Sequence, residues 1–211
     1  RQSVPVFRFV KHLLSASLAL LPFVVCVRPD AVLGAFAPES QTQIGNIEAP
    51  LYTLEPETAE DWWEVEALYD LCFAPGRTAL SSYRLRDGVE PVKALSLVAR
   101  DGDGILAGAI RFWPALVGGR PVLLLGPVAV HPTRQGEGLG GLLIRAGLER
   151  GRDEGWDRVM LVGDAPYYGR FGFERLSDVE MPPPTNPDRV LGIALTEGAW
   201  DGITGKVERA E

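Results

Sequence analysis

Apolar and polar positions alternate with strand or helix period along most of the chain after about residue 50. Leu51 to Leu54 is a short β-forming run. From Glu57 to Cys72 the positions Trp62, Val65, Leu68, Tyr69 and Cys72 recur at helical spacing, which predicts a helix turning those side chains toward the core. Its acids Glu64 and Glu66 then read as solvated charges. Pro75-Gly76 ends this helix, and Thr78 to Arg86 reads as a second, shorter one carrying Arg84 and Arg86. Leu95 to Arg100 and Ile105 to Trp113 flank Asp101-Gly102-Asp103-Gly104, a turn sequence that predicts an antiparallel hairpin. After Val117 to Pro121 turns the chain, the long apolar run Val122 to Val130 predicts a central strand. Leu139, Leu142, Leu143 and Ala146 mark one face of a helix reaching about Glu154, and Gly155 ends it. Arg158 to Val162 is the next strand. Tyr167 and Tyr168 fall on a short helical turn, and Phe171-Gly172-Phe173 and Arg189 to Leu195 supply the last two strands.

The central run contains an anomaly, because Gly126-Pro127 lies in its middle. Proline donates nothing to a ladder, so inside a sheet it belongs at an edge, a strand start or a bulge. A bulge here would splay the strand from its neighbour. Backbone groups of Val128, Ala129 and Val130 would then be left for an extended ligand arm to pair with, as an added strand does.

Between that strand and the next helix runs His131-Pro132-Thr133-Arg134-Gln135-Gly136-Glu137-Gly138-Leu139-Gly140-Gly141. A glycine-dense turn into a helix start exposes amides beside the positive end of the helix dipole, which suits a phosphate. The loop satisfies two patterns. Gly136 to Gly141 matches the dinucleotide fingerprint G-x-G-x-x-G, with Asp164 available for a ribose, whereas Gln135 to Gly140 matches Q-x-x-G-x-G. The five residues from His131 to Gln135 make a longer lead-in than a dinucleotide turn has.

Composition narrows the possible partners. The 211 residues are 46% hydrophobic, enough for one sizeable core, and the net charge of −7 with scattered arginines excludes a nucleic-acid footprint. Two cysteines, Cys26 and Cys72, have neither zinc nor disulfide-framework spacing, so no metal is expected and a reducing compartment, the cytoplasm, fits. Arg1, Arg8 and Lys11 precede the apolar stretch Leu13 to Val27, which imitates a secretory leader but is interrupted by Pro22. Residues 1–46 read as a leader, an anchor or an in-frame extension with a linker, residues 47–196 as one domain, and 197–211 as a tail.

Val128-Ala129-Val130-His131-Pro132, then Gln135-x-x-Gly138-x-Gly140, then Tyr168-Gly169-Arg170-Phe171-Gly172-Phe173 resembles the GCN5-related N-acetyltransferases, the small bacterial predicted acetyltransferases in particular. The similarity runs from about Ile47 to Leu195. It implies an α/β (α+β) fold: a single acyl-CoA N-acyltransferase domain with a mixed central sheet of about six to seven strands, helices on both faces and a bulged, splayed central strand. It further implies acetyl-CoA as cosubstrate, with its pantetheine arm along Val128, Ala129 and Val130. The pyrophosphate would lie on amides from Gly136, Glu137, Gly138, Leu139, Gly140 and Gly141, with side-chain contacts from Arg134 and Gln135. Tyr168 matches the family's general acid, and Asp164 stands where many relatives carry asparagine.

The acceptor implied is a primary amine of a small molecule or peptide, attacked directly in a ternary complex. Its site would be built by Trp62, Trp63, Phe73, Arg84, Arg86 and the segment from Met181 to Pro184. The resemblance implies a monomer or homodimer whose folded domain touches neither membrane nor nucleic acid. Two other readings of the residues stand beside this one: an NAD(P)-binding oxidoreductase domain, and an acyl-CoA sensor in which Tyr168 only packs.

Overall fold

The computed structural model describes residues 51–73 and 75–210. The leader-like stretch, Cys26, the linker and the domain start at Ile47 lie outside the described residues. Strand β1 (Thr53–Pro56) leads into helix α1 (Trp62–Cys72) and the short α2 (Ser81–Arg84). Strands β2 (Leu97–Arg100), β3 (Leu106–Val117) and β4 (Arg120–Val130) follow, then α3 (Leu139–Asp153) and β5 (Arg158–Val162). The one-turn α4 (Ala165–Tyr168) precedes β6 (Glu174–Arg175), β7 (Val179–Glu180), β8 (Val190–Ala194) and β9 (Gly205–Arg209).

The sheet runs in the order β1-β2-β3-β4-β5-β8-β6, with β9 added on β3 and β7 on β9. Along the main path only β4 and β5 are parallel, joined through α3. Every other neighbouring pair there is antiparallel. A doubly wound dinucleotide sheet does not form. The hairpin at Asp101 does, held by the Asp101 carboxylate accepting from the amides of Asp103 (3.1 Å) and Ile105 (3.0 Å).

Period two in β3 and β4 sorts side chains onto two faces. Phe112, Leu123, Leu125, Val128 and Val130 pack under Leu139, Leu143, Ile144 and Leu148 of α3. Ala109 and Ala129 go to the opposite face, under Val65, Leu68 and Tyr69 of α1. Burying each large α3 side chain contributes on the order of 1.5–3 kcal/mol.

Several expected boundaries shift for local reasons. Helix α1 starts at Trp62 rather than Glu57, because the Glu57 amide donates to Ser96 O (2.8 Å) and Asp61 holds the Thr58 amide (2.8 Å) in a turn. Trp62 is therefore on the outer side and 61% exposed, not in the core. Leu142 is also exposed, since the buried stripe of α3 passes through Leu143 and Ile144. The second predicted helix divides into a 3-10 turn (Pro75–Ala79) and the four residues of α2. Phe171 closes another 3-10 turn, so the strand expected at Phe171 to Phe173 begins only at Glu174. The segment read as a tail after residue 196 contains β9, which pairs Val207 with Val117 and buries it in the sheet.

Candidate active site

Strands β4 and β5 pair only at Leu123–Val159 and Leu124–Met160. Beyond Leu124 they part, and the bulge explains why. Ile110 stands opposite Val128 and Phe112 opposite Leu125, so β4 takes three steps through Gly126-Pro127 where β3 takes two. The carbonyls inside the bulge are occupied: Trp113 Nε1 donates to Gly126 O (2.8 Å) and the Tyr69 hydroxyl to Pro127 O (3.4 Å).

Past the bulge regular alternation resumes. The His131 amide donates to Ala107 O (2.8 Å), so the backbone groups of Ala129 face β3, and those of Val128 and Val130 face the gap. Ala129 is thus part of the ladder rather than unpaired as the sequence led us to expect. The Val130 carbonyl already accepts from Cys72 Sγ (3.3 Å) and Gln135 Nε2 (3.4 Å). Val128 N–H and C=O and Val130 N–H have no backbone partner among the described residues.

The gap is a narrow cleft lined by Phe73, Leu125, Gly126, Val128, Leu161, Val162 and Tyr168. Tyr168, on α4, is 3% exposed, and its ring packs so closely on Gly163 that a Cβ there would lie 2.3 Å from Tyr168 Cε2. Phe173 and Tyr167 meet the ring edge-on, with centroids at 5.8 Å and 5.0 Å. Burial pushes the Tyr168 phenol well above its ordinary pKa. Among the described residues no carboxylate or imidazole lines the cleft. The Tyr167 hydroxyl instead lies against Gly140, with the Arg170 guanidinium over its ring at 4.4 Å.

At the mouth of the cleft the chain enters a 3-10 turn (Pro132–Arg134) whose first amides are capped by His131, Nδ1 accepting from Thr133 N at 3.3 Å. Gly138 caps α3 with φ +79, a left-handed conformation that costs side-chain-bearing residues about 1–2 kcal/mol. The first amide to reach back into the helix is that of Leu142, to Gly138 O (3.1 Å). The amides from Gly136 through Gly141 therefore have no acceptor among the described residues. Arg134 pairs with Asp101 (2.6 Å), and Glu137 is held by the Tyr52 hydroxyl. Burial first, and Glu137 second, push the Tyr52 phenol up to about 12. The loop's acid thus has a fixed partner.

The side of the sheet under α1 carries the residues expected around an acceptor. Trp63, like Trp62, is largely exposed, whereas Phe73 reaches the cleft. Arg84 donates to Pro183 O, and Ser81 bonds Thr185, so α2 is tied to the late segment after Met181. Glu66 is not a solvated helix charge. Its carboxylate takes Arg111 Nη1 (2.6 Å) and Arg77 Nη2 (2.7 Å), while Glu64 pairs with Arg100 (2.6 Å). Leu125, Leu161, Val162 and Gly163 had read only as strand and turn residues. The one signal for them was that β5 must be the strand from which a bulged β4 departs. Among the described residues no helix is long and apolar enough to cross a membrane.

Residues 62–173 match the model of the acetyltransferase (GNAT) family. The uncharacterized N-acetyltransferase YhbS of Escherichia coli K12 is 31% identical over 151 residues, covering 70% of this chain and 89% of YhbS. The crystal structure of E. coli YhbS in complex with CoA has a TM-score of 0.68 at 29% identity, covering 79% of this chain and 94% of that one. A GNAT acetyltransferase from Brucella melitensis in complex with acetyl-CoA has a TM-score of 0.57 at 32% identity, covering 75% and 96% of the two chains. With its parted central strands and the glycine turn at their mouth, the chain belongs to the GNAT family of acetyltransferases.

Proposed function

We propose that this protein transfers the acetyl group of acetyl-CoA to a primary amine of a small molecule or peptide by direct attack in a ternary complex. The observation that carries this is the parting of β4 from β5 after Leu124, which leaves strand-forming backbone, a cleft and a run of unpaired amides on one line. Val128 and Val130 would pair with the pantetheine amides, and the amides of Gly136 to Gly141 would receive the pyrophosphate. Each charge at such a helix end is worth only about 0.3–1 kcal/mol through the dipole. Convergent hydrogen bonds therefore supply most of the affinity. That two relatives of similar fold hold CoA and acetyl-CoA supports the same cosubstrate here.

In the reaction the amine lone pair attacks the thioester carbonyl, and a backbone N–H at the bulge stabilises the developing oxyanion. The C–S bond then breaks. Burial keeps Tyr168 protonated across the working range, so its hydroxyl serves as the donor to the departing sulfur. The proton shed by the attacking amine returns through water.

Acetyl-CoA at about 100 times Kd should add about 2.7 kcal/mol of stability. CoA release with an amine panel then separates enzyme from sensor. Tyr168→Phe is expected to lower kcat on the order of 10²- to 10⁴-fold with little change in acetyl-CoA binding. Unchanged turnover would remove Tyr168 from the chemistry, and acetyl-CoA binding with no CoA release from any amine would favour the sensor.

A further inference from the structure

Arg86, two residues beyond α2, is 5% exposed, and none of its three guanidinium nitrogens has a hydrogen-bond partner among the described residues. Aromatic faces wall it: the guanidinium carbon lies 4.7 Å from the Tyr83 ring centre and 5.6 Å from that of Trp113. A Cβ placed on Gly126 would stand 3.3 Å from Arg86 Nη2, so the guanidinium lies against the bare α-carbon of a residue that lines the cleft. The neighbouring acids are committed elsewhere. Glu57 and Glu66 hold Arg111, and Glu66 and Asp70 hold Arg77. Burial draws the Arg86 pKa down to about 10, which still leaves it charged at neutral pH.

A buried cation with its N–H groups unused is costly unless something supplies the missing anion. A planar guanidinium matches a carboxylate through two parallel hydrogen bonds. One such charge balances a monoanion, whereas a phosphate dianion would bring a second negative charge into an aromatic-walled site whose nearby cation, Arg111, is already paired with Glu57 and Glu66. We propose that Arg86 binds the carboxylate of the acceptor, so that the substrates are small amino carboxylic acids whose amine reaches the cleft past Gly126. This rests on the acetyl-transfer reading above, deepening it from an amine to a carboxylate-bearing amine.

The test compares glycine, β-alanine, 4-aminobutyrate and the common L-amino acids with their carboxamides, and with aminomethylphosphonate, in CoA release from acetyl-CoA. An acid should exceed its amide at least tenfold in kcat/KM. Arg86→Gln should raise KM for that acid tenfold or more, and by at least tenfold more than it raises KM for the matching amide, and Arg86→Lys should recover part of the loss. Equal use of acids and amides, a preference for the phosphonate, or equal effects of Arg86→Gln on acid and amide would overturn the assignment. A second arm does not need turnover or a variant. Propionate, but not propionamide, should raise the melting temperature of the native protein in the presence of CoA, and a protein indifferent to both sinks the carboxylate site. Propionate stabilisation without CoA release from any amine would sink acetyl transfer alone.

Discussion

Arg111 and Arg86 lie on the same side of the sheet, and the fold buries them almost equally, at 6% and 5% exposure. Their surroundings are opposite. Arg111 holds Glu57 through two bonds (2.8 and 2.6 Å) and Glu66 through a third (2.6 Å), whereas Arg86 lies against rings and a glycine with no carboxylate partner among the described residues. Burial lowers the pKa of both. For Arg111 the carboxylates outweigh it and the pKa rises above the ordinary arginine value; for Arg86 it falls. This protein therefore can gather acids around a buried guanidinium. That it does so for Arg111 and not for its neighbour separates a structural charge from one kept for a ligand.

The largest effect expected from this contrast is on Arg111. Arg111→Met would leave the Glu57 carboxylate, 9% exposed, without its partner and Glu66 with Arg77 alone, and breaking a buried pair in this way costs about 3–5 kcal/mol. Denaturant unfolding at neutral pH measures it. A loss below about 1 kcal/mol would mean that the ion pairs are no better than surface pairs. Arg86→Met should behave differently, because no carboxylate is orphaned and Tyr83 and Trp113 offer apolar contact to the new side chain. Its unfolding free energy should stay within about 1 kcal/mol of the parent, or rise. A loss of more than about 2 kcal/mol would reveal a structural partner and end the contrast.

The sequence carries one side of this contrast better than the other. Gly126-Pro127 inside an apolar run foretold the bulge, and the turn sequence Asp101-Gly102-Asp103-Gly104 foretold the hairpin, because both are local consequences of backbone chemistry. The glycine turn before α3 was legible for the same reason. Arg111 stood in the middle of an apolar strand and could have been recognised as a charge needing partners. Its partners lie 54 and 45 residues earlier, on segments that meet β3 only after β2 pairs and α1 packs. Nothing in local spacing distinguishes Glu66, which turns inward, from an exposed helix acid. The position of Arg86 is harder still to read, because it depends on where a short helix ends against a bulge on another strand.

The smallest effect expected is in acid. Burial alone would raise the Glu66 pKa, but hydrogen bonds from Arg77 and Arg111 outweigh it and hold the carboxyl below its ordinary 4.5. A carboxylate depressed on folding contributes stability that is complete above its unfolded pKa and is lost as pH falls through its folded value. The Arg111 cluster should therefore weaken below about pH 4.5, in addition to the losses from Asp61 and Asp101, which are also depressed and are common to all variants. Unfolding midpoints taken from about pH 6 to about pH 3 should fall less steeply in Glu66→Gln than in the native protein. Arg86→Met should run parallel to the native curve, since no carboxylate among the described residues titrates against Arg86. A changed acid slope in Arg86→Met would place a protein carboxylate beside Arg86 and leave no room for one from a substrate.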